Sequence, residues 1–91
     1  MVRLSERMEA VAALVTCQGV LADVGCDHGY IPIALVQRGR IRRAIAMDIR
    51  RGPLSRAGEN IVAAGLSRMI ETRLSDGVGA LSPGEADSIV I

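Results

Sequence analysis

The chain has 91 residues, enough for one small domain. Hydrophobic residues make up 49% of it, which excludes a disordered chain, and the net charge of +1 gives no sign of a nucleic-acid-binding arm. Tyr30 is the only aromatic residue, so the stacking platforms used to bind single-stranded nucleic acid are missing. All 11 basic residues are arginine, which excludes lysine chemistry as well.

Cysteine usage and the N-terminus predict a reduced, cytoplasmic protein. Cys17 and Cys26 are expected to be buried and unreactive, and Glu6 and Glu9 are not typical of a signal peptide. Two cysteines and one histidine are too few for a structural zinc site, so no metal is predicted. The longest uncharged stretch lies between Glu9 and Asp23. It is shorter than the ~20 residues that cross a bilayer, so no membrane partner is predicted.

The first half of the chain alternates helices and strands. Ser5 is a candidate N-cap, because its hydroxyl can accept a hydrogen bond from the first turn of the helix that follows. Aliphatic runs too short for helices predict buried strands, and Pro32 and Gly39 mark the two ends of a helix. The predicted elements are, in chain order, a helix over about 6–15, a strand over 20–24, a helix over about 30–38 and a strand over 43–48.

The second half predicts one more helix and two more strands. Gly52-Pro53 opens the helix and Gly65 closes it, with an apolar stripe along one side. The alternation over residues 70–74 is typical of a strand near the edge of a sheet. The remaining predicted elements are a loop over 76–79, a short turn of helix at 80–81 and a fourth strand over 87–91.

This alternation of helices with aliphatic strands predicts an α/β fold with a parallel sheet. Right-handed crossovers then give a Rossmann-like, doubly wound sheet. Residues 1–91 are expected to form one ligand-binding part of a longer domain, because the last predicted strand ends on an Ile-Val-Ile run. The aliphatic edge formed by residues 89–91 is expected to pair with a second copy of the chain.

The strongest local signal is the loop Asp23-Val24-Gly25-Cys26-Asp27-His28-Gly29, between the first strand and the second helix. Its glycines allow the backbone to approach a ligand closely, and the helix that follows contributes free N–H groups. A dinucleotide site requires Gly-x-Gly-x-x-Gly, but here Asp27 takes the place of the middle glycine. Because a carboxylate repels a pyrophosphate and accepts hydrogen bonds from an ammonium group, the loop favours a ligand with a cationic amino group.

Acidic residues also follow the next two strands. Asp48 ends the second strand, where a carboxylate can accept hydrogen bonds from both hydroxyls of a ribose. Asp76-Gly77 follows the third strand, where a short polar side chain can meet an adenine amino group. S-adenosylmethionine combines an amino-acid end, a ribose and an adenine, and the carboxyl ends of parallel strands meet in one crevice. The spacing therefore predicts an S-adenosylmethionine site.

Structural explanations for the same residues stay open. Asp23 can cap the loop by accepting backbone hydrogen bonds, His28 can be an ordinary loop residue, and Cys26 can pack as a small hydrophobe. The arginines concentrated between residues 38 and 51 form either a solvated surface or a contact with RNA.

Longer stretches resemble the bacterial tRNA (adenine-22) N1-methyltransferase family, and the resemblance covers essentially the whole chain. The Asp-His-x-Tyr-x-Pro-Ile and Gly-Pro elements distinguish this family from other methyltransferases. The similar stretches are Arg3–Ala12, Ala22–Ile33, Asp48–Leu54 and Arg73–Gly77. The resemblance implies a class I methyltransferase with S-adenosylmethionine as cofactor and an adenine in tRNA as methyl acceptor. It also implies that an Ala-Gly-Met-Gly-Gly segment and a helical, tRNA-holding region follow residue 91.

The resemblance further implies roles for individual residues. The methionine part of the cofactor would lie among Asp23, Gly25, Asp27, His28 and Gly29. Asp48 and Ile49 would hold the ribose and the adenine edge, and Asp76 and Gly77 would meet the adenine amino group. Arg7 is expected to pair with the cofactor carboxylate, and Asp87 to border the acceptor site. No catalytic base is predicted.

Two other functions stay open from the sequence. The chain can be a cofactor-binding fragment that is inactive on its own, or it can belong to a methyltransferase that acts on a small molecule or a protein. The scarcity of aromatic residues and the near-zero net charge favour the second of these slightly, since neither feature is typical of an RNA-binding surface.

Overall fold

The structure is a computed structural model that describes residues 2–16 and 18–91. Its elements are α1 (Glu6–Ala13), β1 (Val20–Val24), α2 (Tyr30–Gln37), β2 (Arg43–Asp48), α3 (Arg51–Ala63), β3 (Ile70–Leu74) and β4 (Ser88–Val90). The four strands form one parallel sheet in the order β3-β2-β1-β4. This topology confirms the predicted α/β, Rossmann-like fold. Cys17, which was expected to be buried, lies outside the described residues.

The two central strands have the bounds that their aliphatic runs predict. β1 pairs in parallel with β2, from Val20 opposite Arg43 to Val24 opposite Met47. β3, predicted to lie near an edge, forms one edge of the sheet, and β4 forms the other. Because β1 and β2 run side by side in the same direction, their carboxyl ends meet at one rim of the sheet.

The helices begin and end for the local reasons that the sequence indicates. The Ser5 hydroxyl accepts a hydrogen bond from the amide of Met8, which confirms the N-cap of α1. α1 ends at Ala13, about two residues earlier than predicted. Gly39 follows α2 with a φ of 70°, and Gly65 follows α3 with a φ of 72°, so both glycines take the left-handed conformation that ends a helix.

The two faces of the sheet are covered differently. On one face, alternate strand residues such as Leu21 and Ala46 pack against residues from all three helices, including Ile33 and Ile61. The opposite face is a smaller cluster of Ala22, Ile45 and Met47, covered by Leu81 and Ala86 from the loop between β3 and β4. In the described part of the chain, the second face has a loop where the first has helices.

The loop between β3 and β4 departs from the prediction. The short helix expected at residues 80–81 is replaced by hydrogen-bonded turns, because the Ser75 hydroxyl donates to the carbonyl of Gly77 at 2.8 Å and accepts from the amide of Ala80 at 3.0 Å. The Arg73 guanidinium then ties the loop to β3 by hydrogen bonds to Glu85 and to the Ala80 carbonyl. β4 is also shorter than the predicted strand over 87–91.

Two further sequence expectations concern self-association through the edge strand and helices that could cross a membrane. Ile89 on the edge strand is 49% exposed and Ile91 is 91% exposed. Self-association through this edge remains a prediction. Across residues 2–16 and 18–91, no helix has both the length and the apolar character needed to traverse a bilayer.

Candidate functional site

The candidate site is a crevice at the carboxyl ends of β1, β2 and β3. It consists of two adjoining cavities of about 230 and about 280 Å³, which share Val24, Gly25 and Ile91 as a common wall. The first cavity lies between the β1–α2 loop and α1, and the second lies between the ends of β2 and β3. Such a rim is where open parallel sheets bind ligands.

The loop between β1 and α2 is hydrogen-bonded to the carboxyl end of β2. The amides of Gly25 and Cys26 both donate to the carbonyl of Met47 at 2.8 Å, and the amide of Gly29 donates to Cys26 at 2.8 Å. Gly25 and Gly29 both have a φ of 77°, a conformation that suits glycine. Asp27 has a φ of 53° and is the one non-glycine residue with a positive φ in the described ranges. Aspartate tolerates this conformation better than most residues.

The outer wall of the first cavity is a stacked pair of rings. The His28 and Tyr30 rings have centroids 5.3 Å apart and are tilted by 10°. The Asp27 carboxylate lies 3.3 Å from His28 Nδ1 and orients that ring. Arg7 from α1 also lines this cavity, as expected of a residue that pairs with a ligand carboxylate.

Asp23 forms the floor of the first cavity. Asp23 is only 4% exposed, yet no residue of the ranges 2–16 and 18–91 donates a hydrogen bond to its side chain. The structure therefore does not support the alternative in which Asp23 caps the loop. Burial, followed by the nearby charge of Asp48, raises the pKa of Asp23 to about 6. A buried carboxylate without a donor is costly, so Asp23 favours a ligand that brings a cation or a hydrogen-bond donor.

Asp48 is equally buried but satisfied by the protein. Its Oδ1 accepts from the amide of Arg50 at 3.0 Å and its Oδ2 from the amide of Asp27 at 3.3 Å. The Arg50 Nε lies 3.5 Å from Oδ1. Burial acts to raise the pKa of Asp48, but the two amides and the Arg50 charge outweigh it, so the pKa lies below its usual value. A carboxylate has about four acceptor positions, which leaves room for ribose hydroxyls.

The second cavity contains the remaining predicted residues. Asp48, Ile49, Asp76 and Gly77 all line it, and Ile49 is 61% exposed. The Ser75 hydroxyl is held in the turn described above, so the main chain at Asp76 and Gly77 has a fixed course. Ser75 is a contributor that the sequence reasoning missed; the position of a small polar residue directly after β3 is the signal that could have indicated it.

The structure brings nearly all predicted cofactor residues together. The residues that line one or both cavities are Asp23, Gly25, Asp27, His28, Asp48, Ile49, Asp76 and Gly77. Gly29 is the last residue of the loop and the N-cap of α2, and it lines neither cavity. Its role is steric, because a Cβ at this position would lie 3.1 Å from the Cβ of Ala57.

Asp87 lies at the other end of the sheet. Its Oδ2 accepts from the amide of Val20 at 2.7 Å, and its own amide donates to the carbonyl of Val20 at 2.8 Å, where β1 begins. This position corrects the expectation that Asp87 borders the acceptor site. The predicted parallel strand over 87–91 already puts Asp87 at its amino end, away from the crevice, so the role implied by the resemblance conflicted with the predicted fold.

The arginine run does not form one surface. Arg42 and Arg43 lie where β2 begins, whereas Arg50 and Arg51 lie beyond its carboxyl end, and Arg50 lines the second cavity. Arg38 is taken up by an ion pair with Glu9 at 2.6 Å. Of the arginines between residues 38 and 51, Arg50 is therefore the one that lines the crevice.

Cys26 is not placed to act as a thiolate. Burial, followed by the charges of Asp23 and Asp48, raises the pKa of the Cys26 thiol to about 12, so the thiol stays protonated at neutral pH. Within the ranges 2–16 and 18–91, no three side chains of His, Cys, Asp or Glu come together as a metal site.

Comparison with known proteins adds independent observations. A family model described as a methyltransferase domain matches residues 4–91. The chain is 37% identical over 89 residues to the tRNA (adenine(22)-N(1))-methyltransferase of Bacillus subtilis, a match that covers 98% of this chain and 37% of the relative.

Two solved structures with bound ligands are similar to this fold. Streptococcus pneumoniae Sp1610, in complex with S-adenosyl-L-methionine, is 41% identical with a TM-score of 0.90, over 96% of this chain and 41% of that one. M. capricolum TrmK, in complex with S-adenosyl-homocysteine, is 40% identical with a TM-score of 0.84, over 91% of this chain and 37% of that one. These similarities confirm the resemblance drawn from the sequence. The chain spans about two fifths of the length of these relatives.

Proposed function

The chain belongs to the methyltransferase domain family, and from this premise we propose that it forms the S-adenosylmethionine-binding part of an enzyme that methylates N1 of an adenine in tRNA. The observation that carries the proposal is the Asp23 carboxylate, buried at the floor of the crevice and without a donor from the described residues. An ammonium group is the ligand that best compensates such a carboxylate.

The shape of the crevice fits the rest of this cofactor. The amino-acid end suits the first cavity, where Asp23 meets the ammonium group and Arg7 the carboxylate. The ribose suits the part of the second cavity next to the common wall, where Asp48 has acceptor positions left beyond those used by the Arg50 and Asp27 amides. The adenine suits the second cavity, beside Ile49, Asp76 and Gly77.

The chain contributes binding and orientation to the reaction. When bound, S-adenosylmethionine supplies an electrophilic methyl group, which the in-plane lone pair of adenine N1 accepts without prior deprotonation. Methyl transfer therefore requires no general base, and alignment with exclusion of water supplies most of the rate. The rigid backbone from Gly25 to Gly29, held by Met47 and Asp48, provides that alignment for the donor. The adenine must be unpaired or flipped, because N1 lies on its Watson–Crick edge.

The tRNA substrate is proposed from the similarity to the Bacillus subtilis enzyme. The test is an assay of the full-length protein with labelled S-adenosylmethionine against separate pools of unmodified tRNA, protein and small metabolites. We expect label in tRNA, as N1-methyladenine that stops primer extension. Label in the protein or metabolite pool alone would contradict the proposed substrate while leaving the cofactor site intact.

A further inference from the structure

The loop that forms the first cavity is held from two sides. On the strand side, the amides of Gly25, Cys26 and Asp27 all donate to acceptors in β2. On the helix side, the Asn60 side chain of α3 donates from Nδ2 to the carbonyl of His28 at 2.9 Å, across 32 positions of sequence. The loop is therefore fixed between β2 and α3, and the Asn60 side chain makes the hydrogen bond that joins the loop to α3.

The contact is directed at one peptide unit. The carbonyl of His28 accepts a hydrogen bond from the Asn60 side chain, and the amide of Gly29 in the same peptide donates to the carbonyl of Cys26 at 2.8 Å. Ala57, three residues before Asn60 on α3, fits against Gly29 so closely that a Cβ there would lie 3.1 Å from its own Cβ. In the described ranges, no backbone amide donates to the carbonyl of His28. The carbonyl of this peptide unit is therefore held by a single side chain of α3, in addition to the bond made by its amide.

This peptide unit determines how the ligand-facing groups are presented. It connects His28, whose ring stacks on Tyr30 at the cavity wall, with the N-cap of α2. A rotation of the unit would displace the His28 ring, which lines the first cavity. A leucine in place of Asn60 would fill similar space without bringing a donor to this carbonyl.

We propose that Asn60 is a positioning residue for the methyl donor, and that it acts by fixing the His28 carbonyl so that the loop is preorganised to receive the amino-acid end. The inference rests on the proposed function, because it names the residue that keeps the proposed site in its binding conformation. Preorganisation of this kind lowers the ordering cost that binding would otherwise include.

The experiment compares Asn60→Asp with the wild-type protein by calorimetric titration of S-adenosylhomocysteine. The substitution keeps the shape of the side chain but replaces its donor with a carboxylate that faces a carbonyl. We expect the dissociation constant to rise about tenfold, the scale of one lost hydrogen bond with an unsatisfied acceptor. Asn60→Gln, which keeps an amide donor, is expected to recover part of the affinity.

Gln37 provides a matched control. Its Oε1 accepts from the amide of Val2 at 2.9 Å, so it is also a side-chain amide bound to a backbone group, but it lies away from the crevice. Gln37→Leu is expected to lower the melting temperature by a few degrees, as a lost hydrogen bond does. We expect it to leave the dissociation constant unchanged.

A spectroscopic readout separates positioning from stability. Without ligand, the amide ¹⁵N shift of Gly29 should move in Asn60→Asp, because its peptide carbonyl loses a hydrogen bond, and should stay unchanged in Gln37→Leu. Wild-type affinity in a folded Asn60→Asp protein, or the same loss of affinity in both variants, would overturn the inference. No recovery in Asn60→Gln, with the Gly29 shift restored, would also overturn it.

Failure of the proposed function has a different signature. If the wild-type full-length protein does not bind S-adenosylhomocysteine at all, the proposed cofactor site is wrong. If the wild-type protein binds it and the Asn60→Asp protein binds it equally well, only the role of Asn60 is wrong.

Discussion

The ends of β1 and β2 carry two carboxylates that are equally buried but differ in their hydrogen bonds and in the direction of their pKa shifts. Asp23 is 4% exposed and Asp48 is 3% exposed, and the strands that carry them are neighbours. Asp48 accepts two backbone amides, so its pKa is lowered, whereas Asp23 has no donor from the described residues and its pKa is raised to about 6. Burial alone therefore does not determine how a carboxylate behaves.

This difference separates two roles within one site. Asp48 fastens the β1–α2 loop and the start of α3 to the end of β2, so it is part of the scaffold as well as of the proposed ribose contact. Asp23 makes no such attachment between elements. When it is ionised, it destabilises the ligand-free protein. Substitutions at the two positions should consequently change stability in opposite directions while weakening cofactor binding at both.

The largest effect is expected for Asp48→Ala. It removes the ribose acceptor and leaves the amides of Asp27 and Arg50 without their partner, so the loop loses one of its attachments to β2 and keeps those to Met47. We expect the dissociation constant for S-adenosylhomocysteine to rise about 100-fold, and the free energy of unfolding to fall by about 2–3 kcal/mol. Calorimetry and denaturant titration measure the two quantities. Unchanged cofactor affinity would remove Asp48 from the proposed ribose site.

A smaller effect on binding, with the opposite effect on stability, is expected for Asp23→Asn. The amide abolishes the cost of ionising a buried group beside Asp48, so the free energy of unfolding at pH 7 should rise by about 1–2 kcal/mol. The same change removes the charge that meets the ammonium group, so the dissociation constant should rise about tenfold. A loss of stability at pH 7 would show that the ionised carboxylate has a donor that the structure does not reveal.

The pH dependence of binding is the third test of the comparison. Between pH 5 and 7 the ammonium group of the ligand stays charged, while Asp23, with a pKa raised to about 6, becomes ionised. The affinity of the wild-type protein for S-adenosylhomocysteine should therefore increase about tenfold over this range. The Asp23→Asn protein should show a flat profile. An equally steep profile in both proteins would assign the titration to another group.

The stability profiles of the two carboxylates have opposite signs. The folded-state pKa of Asp23 is raised, so its contribution to stability is present below about pH 4 and is lost as the pH rises through about 6. The folded-state pKa of Asp48 is lowered from 3.8, so its contribution is present above that value and is lost as the pH falls below it. Urea denaturation of the wild-type protein at several pH values, compared with Asp23→Asn, isolates the first of these contributions.

The smallest effect is expected for Ser5→Ala, which provides a reference outside the site. The substitution removes the N-cap of α1, so the free energy of unfolding should fall by about 1 kcal/mol. The dissociation constant should not change, because Ser5 lines neither cavity. A change in cofactor affinity would mean that α1 is more strongly linked to the crevice than Arg7 and its neighbours indicate.

Local patterns predicted most of the fold. Ser5, Pro32 and Gly39 indicate helix ends because capping and φ preferences act within a few residues. The aliphatic runs of β1 and β2 gave the correct bounds because a strand covered on both faces is hydrophobic along its whole length. The helix expected at residues 80–81 failed because the Ser75 hydroxyl competes for the backbone groups of that turn, an interaction that hydrophobic periodicity does not report.

The site was predictable as a set of positions but not as a set of contacts. Parallel strand order brings Asp23, Asp48 and Asp76 to one rim, so chain order alone indicated the crevice. Asp48 accepts two amides, whereas the Asp23 side chain has no donor among residues 2–16 and 18–91. This difference depends on where the amides of Asp27 and Arg50 point, which no spacing rule gives. Asn60 was missed because its partner is 32 residues away.

The most direct test is a crystal structure of the full-length protein with S-adenosylhomocysteine. The expected density has the ligand ammonium group within about 3 Å of an Asp23 carboxylate oxygen and the ribose hydroxyls on Asp48. A ligand bound at any other part of the surface, or one whose amino group avoids Asp23, would contradict the proposed site.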